Sequence, residues 1–131
     1  MRKNARGFTV IEIIFVIVIL AAATMIFFVQ KNNVSITARD AQRKTAINSI
    51  YYSLEEVYYK NAGYYPKTVD ETILPSVDPA IFTDPSGAKI GTNNSNFHYE
   101  PLNCTDSHCK AYTLRTTLEN EADFIKQSQH N

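Results

Sequence analysis

From Phe8 to Val29 the chain is apolar at almost every position, with Glu12 as its one charge. At about 1.5 Å per helical residue the run is about 33 Å long, enough to cross a bilayer core of about 30 Å. After Lys31 the pattern turns amphipathic. Val34, Ala38 and Ala41, then Ile47, Ile50, Leu54, Val57 and Tyr58, recur at three- and four-residue spacings, so one stripe of this half is expected to face a partner. Arg39, Arg43, Lys44, Glu55 and Glu56 are assigned to the opposite, solvated face. No proline or glycine occurs between Phe8 and Ala62, which predicts one unbroken helix of about 80 Å. Asn61-Ala62-Gly63 supplies its stop, and Tyr64-Tyr65-Pro66 turns the chain back.

Beyond the helix the punctuation changes. Pro75, Pro79, Pro85 and the turn Asp84-Pro85-Ser86-Gly87 make residues 67–91 a loop with one short helical turn. Alternating apolar positions, Phe97 and Tyr99, then Tyr112, Leu114 and Leu118, predict two antiparallel strands at residues 96–102 and 110–118, with a weaker third at 88–91. The polar tail from Glu119 to Asn131 is expected to be frayed or a short helix. A small sheet with one apolar face must cover the apolar stripe of the helix, since neither face is stable alone. The expected fold class is therefore α+β, a long amino-terminal helix packed on a small antiparallel sheet.

Composition adds compartment and size. About one hundred residues remain outside the leader and apolar run, room for one small domain. Lys and Arg total 13 and Asp and Glu 13, so net charge gives no reason to expect nucleic acid as a partner. Arg2, Lys3 and Arg6 precede the apolar run, which keeps that end cytoplasmic and sends the remainder outward by the positive-inside tendency. Cys104 and Cys109 then lie in an oxidising compartment. Their location favours a disulfide, with a Cys-His zinc set using His98 or His108 as the alternative.

Three kinds of amino-terminal segment compete. A secretory signal would be cut near Ala21-Ala22-Ala23, yet Met25 to Val29 continue the apolar run past that point. A permanent anchor would remain uncut. A third kind is cut on the cytoplasmic side and kept in the membrane; it uses Gly7 before Phe8, the short polar leader, and Glu12 four residues beyond Phe8. A carboxylate inside lipid costs several kcal/mol (roughly) unless paired, so it reads as functional by default. An ammonium created at Phe8 would sit at a helix start, where Glu12 of the same or a neighbouring subunit can pair with it.

These residues, Gly7-Phe8 and Glu12 within GFTVIEIIFVIVIL, resemble the type IV pilin family and its type II secretion pseudopilin relatives. The resemblance implies that a prepilin peptidase cuts between Gly7 and Phe8, that Phe8 is N-methylated, and that Phe8 and Glu12 serve filament assembly. It divides the chain into a leader at 1–7, a transmembrane half at 8–30, an amphipathic half at 31–62 and a globular head at 63–131. It also implies self-association in a helical filament, driven by an assembly ATPase and a platform protein. The subunit would lie in the cytoplasmic membrane before assembly and in a cell-surface pilus afterwards. Glycine or proline is common in the outer membrane half of such helices; Ala21 to Val29 has neither, so a continuous helix is expected. The family's carboxy-terminal disulfide bounds a longer loop than Cys104 and Cys109 would.

No catalytic constellation, glycine-rich phosphate loop or paired zinc spacing is present, so no enzyme activity and no cofactor are expected. Asp70, Glu71, Asp78 and Asp84 lie where pseudopilins hold calcium, but their wide spacing does not reproduce a compact calcium loop, and they are expected in solvent. The leading functional reading is a pilus subunit for adhesion, motility or uptake. The alternatives are a type II secretion pseudopilin and an uncleaved membrane-anchored binding module.

Overall fold

A computed structural model of the chain describes residues 7–130, so of the leader expected at 1–7 only Gly7 falls within the described residues. The chain divides into two compact units, one up to Ser35 and one from Ile36 onward. Helix α1 spans Val10–Tyr52. A π-helical segment, Ser53–Tyr59, and a last turn, α2 at Lys60–Ala62, complete the helical run. It stops at Gly63, whose left-handed φ of 76° costs least in a residue without a side chain.

In the second unit the helix packs on a four-stranded antiparallel sheet, an α+β arrangement that matches the pilin fold. The strands are β1 at Tyr65–Pro66, β2 at Phe97–Thr105, β3 at His108–Thr116 and β4 at Phe124–Gln127. β3 is central: it pairs with β2 on one side and with β1 and β4 on the other. The two expected strands are present, but both reach further toward each other, leaving only Asp106 and Ser107 between them. Asp106 takes the positive φ of 56° that a two-residue hairpin turn requires. The weak strand expected at 88–91 is replaced by an isolated bridge, Thr83 to Lys89. The tail expected to fray instead forms β4, because Phe124 packs on the core and the strand fills the open edge of β3 beyond β1. The loop at 67–91 contains one 3₁₀ turn, Pro79–Phe82, capped by Asp78.

The core joins Ile47, Ile50 and Leu54 of the helical run to Tyr65, Leu74, Phe82, Phe97, Tyr112 and Leu114, all fully buried or nearly so. The expected apolar stripe is only partly right. Val34, Ala38 and Ala41 are exposed, and so is Val57. The π segment explains Val57: a wider turn delays the return of the buried face by about one residue, bringing Tyr58 and Tyr59 against the core instead. It also buries three successive residues, Ser53, Leu54 and Glu55. A regular helix, turning about 100° per residue, could not point all three at one side.

Glu55 thereby corrects the solvated face. It is 2% exposed, and its carboxylate accepts hydrogen bonds from the hydroxyls of Tyr65 and Tyr112, each at 2.8 Å. The Gln129 backbone N–H donates to the same group at 3.3 Å, fastening the tail. Burial, then the bond to Glu55, pushes both phenols well above their ordinary value. They remain protonated donors in the fold, so this stabilisation is complete below the unfolded tyrosine value of about 10 and is lost as pH rises above it. Tyr112→Phe is expected to cost about 1–3 kcal/mol at neutral pH by removing a donor from a buried carboxylate. Chemical denaturation of the detergent-solubilised chain at pH 7 and above pH 10 or so checks both; an unchanged alkaline limb in Tyr112→Phe contradicts the assignment.

Candidate functional site

Gly7, Phe8 and Thr9 precede α1, and Phe8 is 75% exposed. The Thr9 carbonyl accepts from the backbone N–H groups of Glu12 (3.0 Å) and Ile13 (3.2 Å), which starts the helix and places Glu12 in its first turn. A carboxylate there faces the unsatisfied N–H end of the helix dipole, a placement worth about 0.3–1 kcal/mol. Every residue from Gly7 to Ser35 is exposed, including Ile11, Phe15, Phe27 and Phe28. The helix contains a window of mean hydropathy 2.9 with none of it buried, long and apolar enough to cross a membrane. Its one mid-run hydroxyl, Thr24, donates back to the carbonyls of Leu20 (3.0 Å) and Ala21 (2.8 Å), so it brings no unsatisfied donor into an apolar surrounding. The arrangement offers an uncovered apolar cylinder with one carboxylate a turn from its start.

The loop acids do not converge. Asp70 caps the N–H groups of Thr72 and Ile73, Asp78 caps Ala80, and Glu71 pairs with Lys89. Among the described residues no group of three or more His, Cys, Asp or Glu is placed to hold a metal ion.

Asp84 departs from the expectation of a solvated acid. It is 2% exposed and accepts from Arg43 Nε at 2.7 Å, from the Ser86 N–H at 2.9 Å and from Asn96 Nδ2 at 3.1 Å. Arg43, also assigned to solvent, is 3% exposed. Its Nη1 donates to Asp40 (3.0 Å) and to Glu119 (2.8 Å), and Arg39 holds both oxygens of Glu119 from the surface. Asp40 in turn accepts the backbone N–H groups of Glu119 and Asn120. One guanidinium thus ties α1 to the loop after the 3₁₀ turn and to the segment leading into β4. Burial pulls the Asp84 carboxyl up, but the bonds from Arg43, Ser86 and Asn96 outweigh it and hold it well below the usual range. Asp40 is lowered in the same way against its own burial, chiefly by the Glu119 and Asn120 N–H groups. Arg39 and then Arg43 lower Glu119 to about 2.

Cys104 and Cys109 form a disulfide, lying directly opposite each other on β2 and β3 rather than in a loop between strands. His108 packs against the Tyr64 ring at 3.8 Å, and His98 lies opposite Arg115 on the sheet.

Residues 2–28 match the family described as the prokaryotic N-terminal methylation motif. That motif fits the amino-terminal segment of type IV pilins and pseudopilins. It implies processing by prepilin peptidase and is consistent with membrane anchoring. No curated protein and no solved structure matches the chain.

The motif stops short of the head, whose integrity rests on Arg43. Removing one partner of such a buried set costs about 3–5 kcal/mol, so Arg43→Met should lower stability by that order at pH 7. The three carboxyls have lowered values, so their contribution is complete above the unfolded range near pH 4 and falls away as pH drops through the folded values, down to about 2 for Glu119. Denaturation midpoints of the solubilised chain should be flat from about pH 7 to 5 and fall below about 4, less steeply in Arg43→Met. Equal steepness in the two proteins contradicts the clamp.

Proposed function

We propose that this chain is the structural subunit of an extracellular type IV pilus. The observation that carries the reading is the exposed apolar helix with its single acid, Glu12, inside a matched methylation motif. In this reading prepilin peptidase cuts between Gly7 and Phe8 at the cytoplasmic face, removing 1–7, and methylates the Phe8 amine. Residues 8–30 hold the subunit in the membrane, 31–62 form the amphipathic half of the helix, and 63–131 form the head outside. An assembly ATPase and platform protein then draw subunits into a helical filament. The apolar surface exchanges lipid for neighbouring helices, and a large buried apolar area holds the fibre without covalent links.

Glu12 supplies register. A buried ion pair adds little net stability, but every stagger that strands Glu12 without the Phe8 ammonium of a neighbour is penalised. The motif fits a type II secretion pseudopilin as well, a short piston rather than a surface fibre. Electron micrographs of long surface filaments containing this chain separate the two.

Glu12→Ala is expected to leave membrane insertion and leader cleavage intact while reducing surface filaments to about a tenth or less, the effect of roughly 1.4 kcal/mol or more per pairing event. Immunoblotting for the processed form together with micrographs of sheared filaments checks this. Abundant normal filaments in the variant would sink the pairing role.

A further inference from the structure

The adjoining ends of β2 and β3, Tyr59 of the helical run and the Gly63-Tyr64 link line an open cleft of about 430 Å³, within the range of about 300–1,000 Å³ common for small-ligand sites. Tyr59, Tyr64, Asn103, Thr105, His108 and Lys110 line it. Asn103 and Thr105 alternate along β2, and His108 and Lys110 alternate along β3, with Thr105 opposite His108 in register. All four side chains line the cleft.

The cleft is framed rather than loose. The Cys104 to Cys109 disulfide ties its two strands together, and Tyr64 packs on His108. Tyr59 is fixed by Tyr65 and by His130, which stacks on it at 4.3 Å. Asn103 is held at a φ of 52°, out of strand conformation. The Tyr59, Tyr64 and His108 rings therefore lose little freedom on binding a ligand, which favours affinity.

Its chemistry is one-sided. Of the nine Lys and Arg side chains from Ile36 onward, six are in ion pairs, Lys126 lies over the Tyr51 and Phe124 rings, and Lys67 lies outside the cleft. Lys110 is in none of these pairs, and Asn103 and Thr105 make no side-chain hydrogen bond among the described residues. No carboxylate lines the cleft; Asp106 stands at the turn outside it. A nucleic-acid groove needs a row of cations, and a bare oxyanion site gathers several donors of positive charge. One ammonium among an amide, a hydroxyl, an imidazole and two phenols fits a polyhydroxylated ligand that carries a single carboxylate.

We infer that this cleft binds an acidic sugar unit of the hexuronate type, with Lys110 on the carboxylate and Asn103 and Thr105 on hydroxyls. The inference rests on the proposed placement of the head outside the cell, where such polymers occur. Its test needs neither leader cleavage nor filament growth, so it can fail while the pilus reading stands, and the reverse.

The test is titration of tri-galacturonate into the full chain in a polyoxyethylene detergent, which has no sugar headgroup, followed by calorimetry and by NMR shifts. Saturable binding is expected, with neutral tri-galactose weaker by about tenfold or more, the scale of a charge-assisted hydrogen bond. Lys110→Gln and Asn103→Ala should each weaken it by a similar factor, while Lys67→Gln, outside the cleft, leaves it unchanged. Absence of saturable binding overturns the inference. So does equal loss in Lys67→Gln and Lys110→Gln, which marks diffuse charge attraction, or displacement by inorganic phosphate at equal concentration, which marks a simple anion site.

Discussion

The head depends on one buried guanidinium. Arg43 bonds at once to Asp40 on its own helix, Asp84 in the long loop and Glu119 before β4, and so joins three segments far apart in sequence. The long loop anchors itself in the core through Val69, Leu74, Val77 and Phe82, and the turn that follows Phe82 is fixed by charge at Asp84. A bidentate charge-assisted contact supplies direction that apolar packing alone does not. Glu55 does the same at the other end of the packed helix, gathering Tyr65, Tyr112 and the backbone of Gln129 around one carboxylate. Between these two polar anchors lies the apolar contact of Ile47, Ile50 and Leu54 with the sheet.

The helix, its stop at Gly63 and the β2–β3 pair were legible in the sequence because each follows from local pattern: an uninterrupted apolar run, a left-handed cap and period-two alternation. Arg43 was not, although its signal was present. Counting back from Leu54 and Ile50 through Ile47 at three- and four-residue steps arrives at Arg43 and then Asp40, so the core face continues into charge. A rule that sends charged residues to solvent overrides that spacing, and the partners that make burial tolerable, Asp84 and Glu119, are invisible until the chain folds. The π segment was hidden for a related reason. Its register shift goes with tertiary contacts, the hydroxyls around Glu55 and the packing of Tyr58 and Tyr59, which no local pattern announces. β4 and β1 are short and owe their strand form to pairing with β3 rather than to their own composition.

At the candidate site the balance is reversed. Gly7, Phe8 and Glu12 stand out as candidates from order alone, since a glycine, a phenylalanine and a lone acid in an apolar run form a pattern that needs no fold, and all three fall within the matched motif. What the structure adds is the setting. Glu12 is in the first turn of a helix whose apolar side chains are all uncovered up to Ser35, while the polar side chains that structure the head are engaged with one another. The two halves of the helical run therefore differ: the later half packs on the sheet through Ile47, Ile50 and Leu54, and the earlier half leaves its apolar side chains uncovered.

In the proposed pilus reading, a cut before Phe8 releases the apolar half for assembly. Mass spectrometry of the amino-terminal peptide from protein in sheared surface filaments tests it most directly. A peptide that begins at Phe8 and carries a methyl group on its amine is expected. A peptide that begins at Met1, or one that begins near Met25, would contradict it.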